Sequence, residues 1–186
     1  MNKLHSLFIA IIMVAGFSFS AFGQYFEKDK SYIGIGRAFP SSFNEEISAF
    51  QLLTDEKIHS FGPFVLNYEL GIHEYIGIFI QGKFANARYD IEFFDGTESI
   101  LFYDLGVDAR IVGHYPKIDK IDPYAAVGIS YNSTIINLFG EKIPEEDSSK
   151  AIGVIGLRFH FDNNYSAYLE FASGQVPFAL GVNFKI

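Results

Sequence analysis

Three side chains near the C-terminus are of the types that hydrolases use. His160, Ser166 and Glu170 lie within a span of eleven residues. In a hydrolase, a histidine takes the proton of a serine hydroxyl while a carboxylate orients the imidazole ring. If 150–161 and 165–172 are neighbouring strands, alternate residues point to the same face, and all three side chains lie together. This set is a candidate catalytic site.

A larger set of charged residues suggests a structural chemistry instead. Four acidic and four basic side chains occupy the less apolar face of alternating segments. They are Glu69, Lys83, Asp104, Asp108, Arg110, Arg158, Glu170 and Lys185. Unpaired charges in a restricted interior are costly, so equal numbers of both signs predict a salt-bridge network that fills the interior. Within it, we predict that Arg158 pairs with Glu170.

Acidic residues are concentrated in three connecting segments, 40–60, 90–98 and 140–150. The twelve acids are Glu45, Glu46, Asp55, Glu56, Asp90, Glu92, Asp95, Glu98, Glu141, Glu145, Glu146 and Asp147, against three lysines. Such a surface attracts cations, either a cationic partner or divalent ions that bridge to an anionic surface. Segment 40–60 also contains the large apolar residues Phe43, Ile47, Phe50, Leu52 and Leu53, which favour a surface for a partner.

Composition narrows the remaining chemistry. The chain has no cysteine, which excludes thiol catalysis, disulfides and cysteine-ligated zinc. The net charge of −8 disfavours nucleic-acid binding, which needs a basic footprint. No spacing of histidine and acidic residues is typical of a metal site, and no segment has a calcium-loop signature. We therefore predict no cofactor, no metal and no nucleic-acid partner.

The elements that must position these residues are β-strands. Residues 178–186 alternate between large apolar side chains and small or polar ones, which is the period of a strand. The same alternation predicts eight strands, at 31–39, 61–72, 75–89, 99–115, 123–137, 150–161, 165–172 and 178–186. A turn at 162–164 would pair Phe159 with Ala167 and Leu157 with Leu169, so that both pairs share the apolar face.

Connections between these strands are mostly short at one end and longer at the other. Eight up-and-down strands with this asymmetry predict a closed barrel, and a barrel with its apolar face outward suits a membrane. The second face has few charges and many small residues, as the narrow interior of eight strands requires. The alternative is a soluble secreted barrel of the lipocalin type, which would bind an apolar ligand inside.

The N-terminus predicts export. Lys3 is followed by an unbroken apolar and glycine stretch at 7–17 and then by small residues that end at Gly23. This is the pattern of a secretory signal peptide. The stretch would span only about 17 Å as a helix, too short for a hydrocarbon core of about 30 Å. We predict a signal peptide at 1–23 and one barrel domain at 24–186.

Two segments resemble a known family. The strand segment 123–131, PYAAVGISY, and the closing segment 180–186, LGVNFKI, are similar to strands of small outer-membrane β-barrel proteins of the OmpA/OmpX-like, porin-family type. The resemblance implies an outer membrane of a Gram-negative-type envelope, contact with its lipid, and assembly by the barrel machinery through the C-terminal strand. Some barrels of this kind modify lipid A with a His-Ser-acid site, which keeps the enzyme alternative open.

The sequence thus predicts a monomeric, all-β, eight-stranded outer-membrane barrel whose lumen is filled by salt bridges. Its role would be structural or surface-interacting, without catalytic residues, through the acidic loops. The first alternative is a small porin-like channel. The others are the lipid A-modifying enzyme and the soluble ligand-binding barrel.

Overall fold

The structure is a computed structural model that describes residues 26–39, 59–93, 96–115, 118, 120–138, 141–144, 147–173 and 178–186. The predicted signal peptide and most of segment 40–60 lie outside the described residues. Within these ranges the chain forms strands β1 (Ser31–Phe39), β2 (His59–His73), β3 (Ile76–Phe93), β4 (Gly96–His114), β5 (Ile121–Leu138), β6 (Glu141–Pro144), β7 (Ser148–His160), β8 (Tyr165–Ala172) and β9 (Phe178–Lys185). The described ranges contain no helix long and apolar enough to cross a membrane.

The strands close into an eight-membered antiparallel barrel. Each strand pairs with its neighbour, and β1 pairs with β9 from Tyr32–Lys185 to Phe39–Phe178, which joins the first strand to the last. The short β6 pairs with the end of β5, while β7 pairs with the rest of β5. β6 and β7 therefore occupy one position in the ring. This arrangement confirms the predicted fold class and leaves no open sheet edge between the closing strands.

Several predicted loops were too long. β3 and β4 continue as a paired hairpin to Phe93 and Gly96, so most of the predicted loop 90–98 is strand. Residues 141–144 form β6 inside the predicted loop 140–150. Charged residues at these ends hid the strands from the hydropathy pattern, because a hairpin that projects beyond a membrane needs no apolar outer face.

The predicted register of β7 and β8 is confirmed. Leu157 lies opposite Leu169 and Phe159 opposite Ala167, as the turn at 162–164 requires. The backbone N–H of Phe161 donates to the carbonyl of Tyr165 at 3.0 Å, which extends the ladder into the turn. Register matters here because a slip of one residue would exchange the inward and outward faces.

The two faces of the wall differ sharply in polarity. Outward side chains such as Val127, Ile129 and Ile155 are large, apolar and about two-thirds exposed. Inward side chains are mostly polar, charged, aromatic or small, and those of Asp108 and Arg158 are almost fully buried. An apolar exterior around a polar interior is the reverse of a soluble protein and is the pattern of a membrane barrel.

Candidate functional site

The short-turn end of the lumen contains four interacting groups, which we call the lower cluster: Glu69, His114, Asp122 and Arg158. Arg158 Nη2 donates to Glu69 Oε2 at 2.5 Å, and its Nη1 lies 4.0 Å from Asp122. All four side chains are at least 99 % buried. The guanidinium also lies over the rings of Tyr32 and Tyr124, at 5.1 and 5.5 Å from their centroids.

His114 bridges the two carboxylates of this cluster. Its Nε2 lies 2.6 Å from Glu69 Oε1, and its Nδ1 lies 2.8 Å from Asp122 Oδ2. An ionised carboxylate only accepts hydrogen bonds, so each ring nitrogen is best used as a donor. A ring protonated on both nitrogens satisfies both partners and, together with Arg158, brings the formal charge of the cluster to zero.

Farther from the short turns lies the upper cluster: Lys83, Asp108, Arg110 and Glu170. Arg110 donates to Asp108 at 2.7 Å and to Glu170 at 3.0 Å. Lys83 pairs with the other oxygen of Asp108 at 2.8 Å. Arg110 also lies over the ring of Phe79, 4.8 Å from its centroid. Two bases and two acids make this cluster formally neutral without a histidine.

Tyr124 connects the two clusters. Its hydroxyl donates to Glu170 Oε1 at 3.0 Å, while its ring faces Arg158 and lies 5.6 Å from the ring of His114. Beside the upper cluster, a cavity lined by Gln81, Ile152 and neighbouring side chains measures about 10 Å³. A space of this size holds one water molecule at most.

The predicted pair of Arg158 and Glu170 was wrong. Arg158 reaches Glu69 on β2, whereas Glu170 binds Arg110 and Tyr124. β2 and β7 are four positions apart in either direction around the ring, so the Arg158–Glu69 contact crosses the lumen. The prediction considered only adjacent strands, but a barrel of eight strands is narrow enough for long side chains to meet across it.

Two further residues of the predicted network lie apart from both clusters. Lys185 pairs with Glu27 at 2.9 Å, at the short-turn mouth of the barrel. Asp104 lies on the inward side of β4, opposite Ala85 and Thr134, and forms no ion pair with another residue that the structure describes. The other six predicted residues are divided between the lower and upper clusters.

The hydrolase-like set is brought together only in part. His160 and Ser166 are opposite one another on β7 and β8, and both are buried. Glu170 does not complete the set, because its two oxygens bind Arg110 and Tyr124. Within the described ranges, no group of three or more histidine and acidic side chains is arranged to hold a metal ion.

Sequence reasoning missed His114, Asp122 and Phe26. His114 has the same parity in β4 as Asp108 and Arg110, so the alternation could have placed it inside. Asp122 has the parity of Tyr124, but it precedes Pro123 and was assigned to a turn. Phe26 precedes the first strand, and no periodic signal marks its burial.

Five of the twelve loop acids are among the residues that the structure describes. Asp90 pairs with Arg88 at 2.7 Å and accepts a hydrogen bond from Ser99 at 2.6 Å. Glu141 and Asp147 are exposed. Glu92 lies in β3 and Glu98 in β4, where the structure describes the backbone. The remaining loop acids, Glu45, Glu46, Asp55, Glu56, Asp95, Glu145 and Glu146, fall outside the described residues.

Solved structures share this architecture. OprG of Pseudomonas aeruginosa is 9 % identical with a TM-score of 0.52, and the match covers 86 % of this chain and 97 % of OprG. Ail of Yersinia pestis, in complex with the heparin analogue sucrose octasulfate, is 16 % identical with a TM-score of 0.51. The match covers 86 % of this chain and 100 % of Ail. The N-terminal barrel domain of Pseudomonas aeruginosa OprF is 12 % identical with a TM-score of 0.51, covering 86 % and 98 %. At these identities the likeness concerns the fold alone.

A family match covers most of the sequence. Residues 9–178 match the family described as the outer membrane protein beta-barrel domain. Comparison with curated protein sequences found no match. The family and the outward apolar face both place the barrel in the outer membrane, which rules out the soluble secreted alternative. The chain therefore belongs to the outer membrane protein beta-barrel domain family.

Proposed function

We propose that this protein is a non-conducting outer-membrane barrel that acts through its extracellular surface. The observation that carries the proposal is the pair of charge clusters inside the lumen. Arg158 and Glu69 join opposite walls, and Tyr124 links this contact to Glu170 in the upper cluster. Solutes or ions that crossed the lumen would have to separate these buried partners.

Charge balance supports a filled lumen over an aqueous path. Each carboxylate of the upper cluster contacts a cation within 3.0 Å, and the cavity beside them is about 10 Å³. Breaking a buried ion pair leaves an uncompensated charge, which costs about 3–5 kcal/mol. A network of this kind favours one closed arrangement.

Conductance in planar lipid bilayers tests the proposal. The purified, folded barrel is expected to give little or no current, and a general porin of known conductance serves as the positive control. Steady current steps from the barrel would contradict the proposal and favour the alternative of a small channel.

The extracellular role rests on charge. Short turns face the periplasm in barrels of this kind and longer loops face outward, so we propose that the twelve acidic residues of 40–60, 90–98 and 140–150 belong to the external end. Ail was crystallised with a polyanionic heparin analogue. The acidic loops of this chain would repel such a ligand, and we propose a cationic partner or divalent cations instead.

Binding to the barrel in lipid nanodiscs tests this surface. Poly-lysine and Ca²⁺ are the probes, and sucrose octasulfate is the matched anion. Neutralising four acids of segment 40–60 together (Glu45→Gln, Glu46→Gln, Asp55→Asn and Glu56→Gln) is expected to weaken binding of the cationic probes at low ionic strength. Glu74→Gln with Asp162→Asn, at the opposite end, is the control. Equal binding by both variants would contradict the proposed surface.

A further inference from the structure

The segment that precedes β1 enters the short-turn mouth of the barrel. Phe26 is fully buried, and its ring stacks on His114 with centroids 3.7 Å apart and planes at 10°. The same ring stacks on Tyr32 at 5.5 Å. We propose that residues 26–30 form a plug that seals the periplasmic mouth and shields the lower cluster from water.

The segment packs closely against the barrel wall at Gly71. A Cβ added there would lie 2.2 Å from the carbonyl oxygen of Glu27 and 3.3 Å from the ring of Phe26. Only glycine therefore allows the segment to approach β2 so closely. The backbone N–H of Gly71 donates to the carbonyl of Lys30 at 2.9 Å, and its carbonyl accepts from the N–H of Asp29 at 2.7 Å.

Two further contacts hold the segment across the mouth. The backbone N–H of Glu27 donates to the hydroxyl of Tyr32 at 3.0 Å. The carboxylate of Glu27 pairs with Lys185 on β9 at 2.9 Å. Asp29 has a φ of 62°, in the left-handed region, where the chain turns from the strand direction into the mouth. The segment is thus tied to both strands that flank β1.

One buried ring and one partly exposed ion pair hold the plug in place. Its buried anchor is one aromatic ring, whereas the Glu27 side chain is 42 % exposed and its ion pair with Lys185 is partly buried. The plug therefore contacts the lower cluster through the ring of His114, while its own ion pair is with Lys185, outside both clusters. This goes beyond a filled lumen, because it assigns the periplasmic seal to a segment outside the barrel wall.

Thiol labelling can test the seal, because the native chain has no cysteine. Val112 faces the lumen two residues before His114 and is 2 % exposed, so Val112→Cys reports on access to the lower cluster. The folded barrel is treated with a small charged methanethiosulfonate reagent. Labelling should be slow with the native plug, and Phe26→Ala should raise the rate by about twofold to tenfold, which is the factor that one stacked aromatic contact is worth.

A second variant separates release of the plug from loss of the ring. Gly71→Ala keeps Phe26 but places a methyl group where Glu27 must pass, and it should raise labelling as well. Phe161→Ala, an exposed aromatic residue at the same end, and Gly82→Ala, where the nearest atom to an added Cβ is 4.0 Å away, are the controls. Heat-modifiable gel mobility verifies that each variant is folded. If folded Phe26→Ala and Gly71→Ala label no faster than the barrel with the native plug, the proposal is wrong.

Discussion

Ion pairs inside the lumen and at the external end of the barrel have similar geometry but different surroundings. Arg158 binds Glu69 at 2.5 Å with both side chains 1 % exposed. Arg88 binds Asp90 at 2.7 Å with exposed fractions of 57 % and 38 %. Water replaces a lost partner at the external pair, whereas nothing replaces it in the lumen. Access to water, more than distance, therefore decides what each pair contributes to stability.

The two lumen clusters differ from each other as well. In the lower cluster Arg158 is the only side chain with a permanent positive charge, and it faces Glu69 and Asp122. Those two carboxylates share one second partner, His114, whereas in the upper cluster each carboxylate has a second partner of its own besides Arg110. Asp108 also binds Lys83, and Glu170 also accepts from Tyr124. The lower cluster should therefore tolerate the loss of its arginine less well.

The largest effect is expected for Arg158→Met, which removes the charge and keeps much of the volume. Glu69 and Asp122 would remain buried with His114 as their one cationic partner, and the free energy of unfolding should fall by about 3–5 kcal/mol. Urea unfolding of the barrel in lipid vesicles measures this value. Adding Glu69→Gln to Arg158→Met should recover part of the loss, because coupled residues are not additive.

The matched control for this change is Arg88→Met at the external hairpin. Removing that exposed pair should lower the free energy of unfolding by less than about 1 kcal/mol. If Arg158→Met were no more harmful than Arg88→Met, burial would not distinguish the two regions.

An intermediate effect is expected for Arg110→Met. Lys83 and Tyr124 continue to satisfy one oxygen each of Asp108 and Glu170, so the loss is closer to that of hydrogen bonds to charged groups, about 1.5–3 kcal/mol. The same urea titration compares it with Arg158→Met. A loss as large as that of Arg158→Met would mean that the second partners do not compensate for the arginine.

The sequence predicted the barrel because its signal is local and repeated. Alternation at every strand specified which side faces the lipid, and the three-residue turn at 162–164 specified the register of β7 and β8. Strand ends were less predictable. The hairpin of β3 and β4 continues through Asp90 and Glu92. These polar residues lie beyond the membrane, where no lipid selects for an apolar outer face.

The partners inside the lumen could be predicted by face but not by pair. Glu69, Arg158 and Glu170 were assigned to one face by parity, yet the choice of partner depends on barrel diameter and stagger, which the alternation does not contain. The contact of Phe26 with His114 is harder still, because it is a tertiary contact made by a residue outside any periodic segment.

The smallest effect is expected at an exposed carboxylate with fixed partners. Asp162, in the turn between β7 and β8, accepts hydrogen bonds from the backbone N–H groups of Asn164 and Tyr165, both at 2.7 Å. These donors stabilise the ionised form and lower the pKa of Asp162 below the ordinary aspartate value. A lowered pKa in the folded state adds stability at neutral pH, which is lost as the pH falls through that value.

Asp162→Ala should therefore lower the urea midpoint slightly at pH 7 and have a smaller effect in acid, below the pKa of an unfolded aspartate at about 3.9. Asp162→Asn is the control, because its amide oxygen still accepts hydrogen bonds but does not titrate, and its difference from Asp162→Ala should not change with pH. An equal deficit of Asp162→Ala at both pH values would show that the charge contributes nothing. The turn would then resemble Arg88–Asp90, and burial alone would decide the worth of a carboxylate in this barrel.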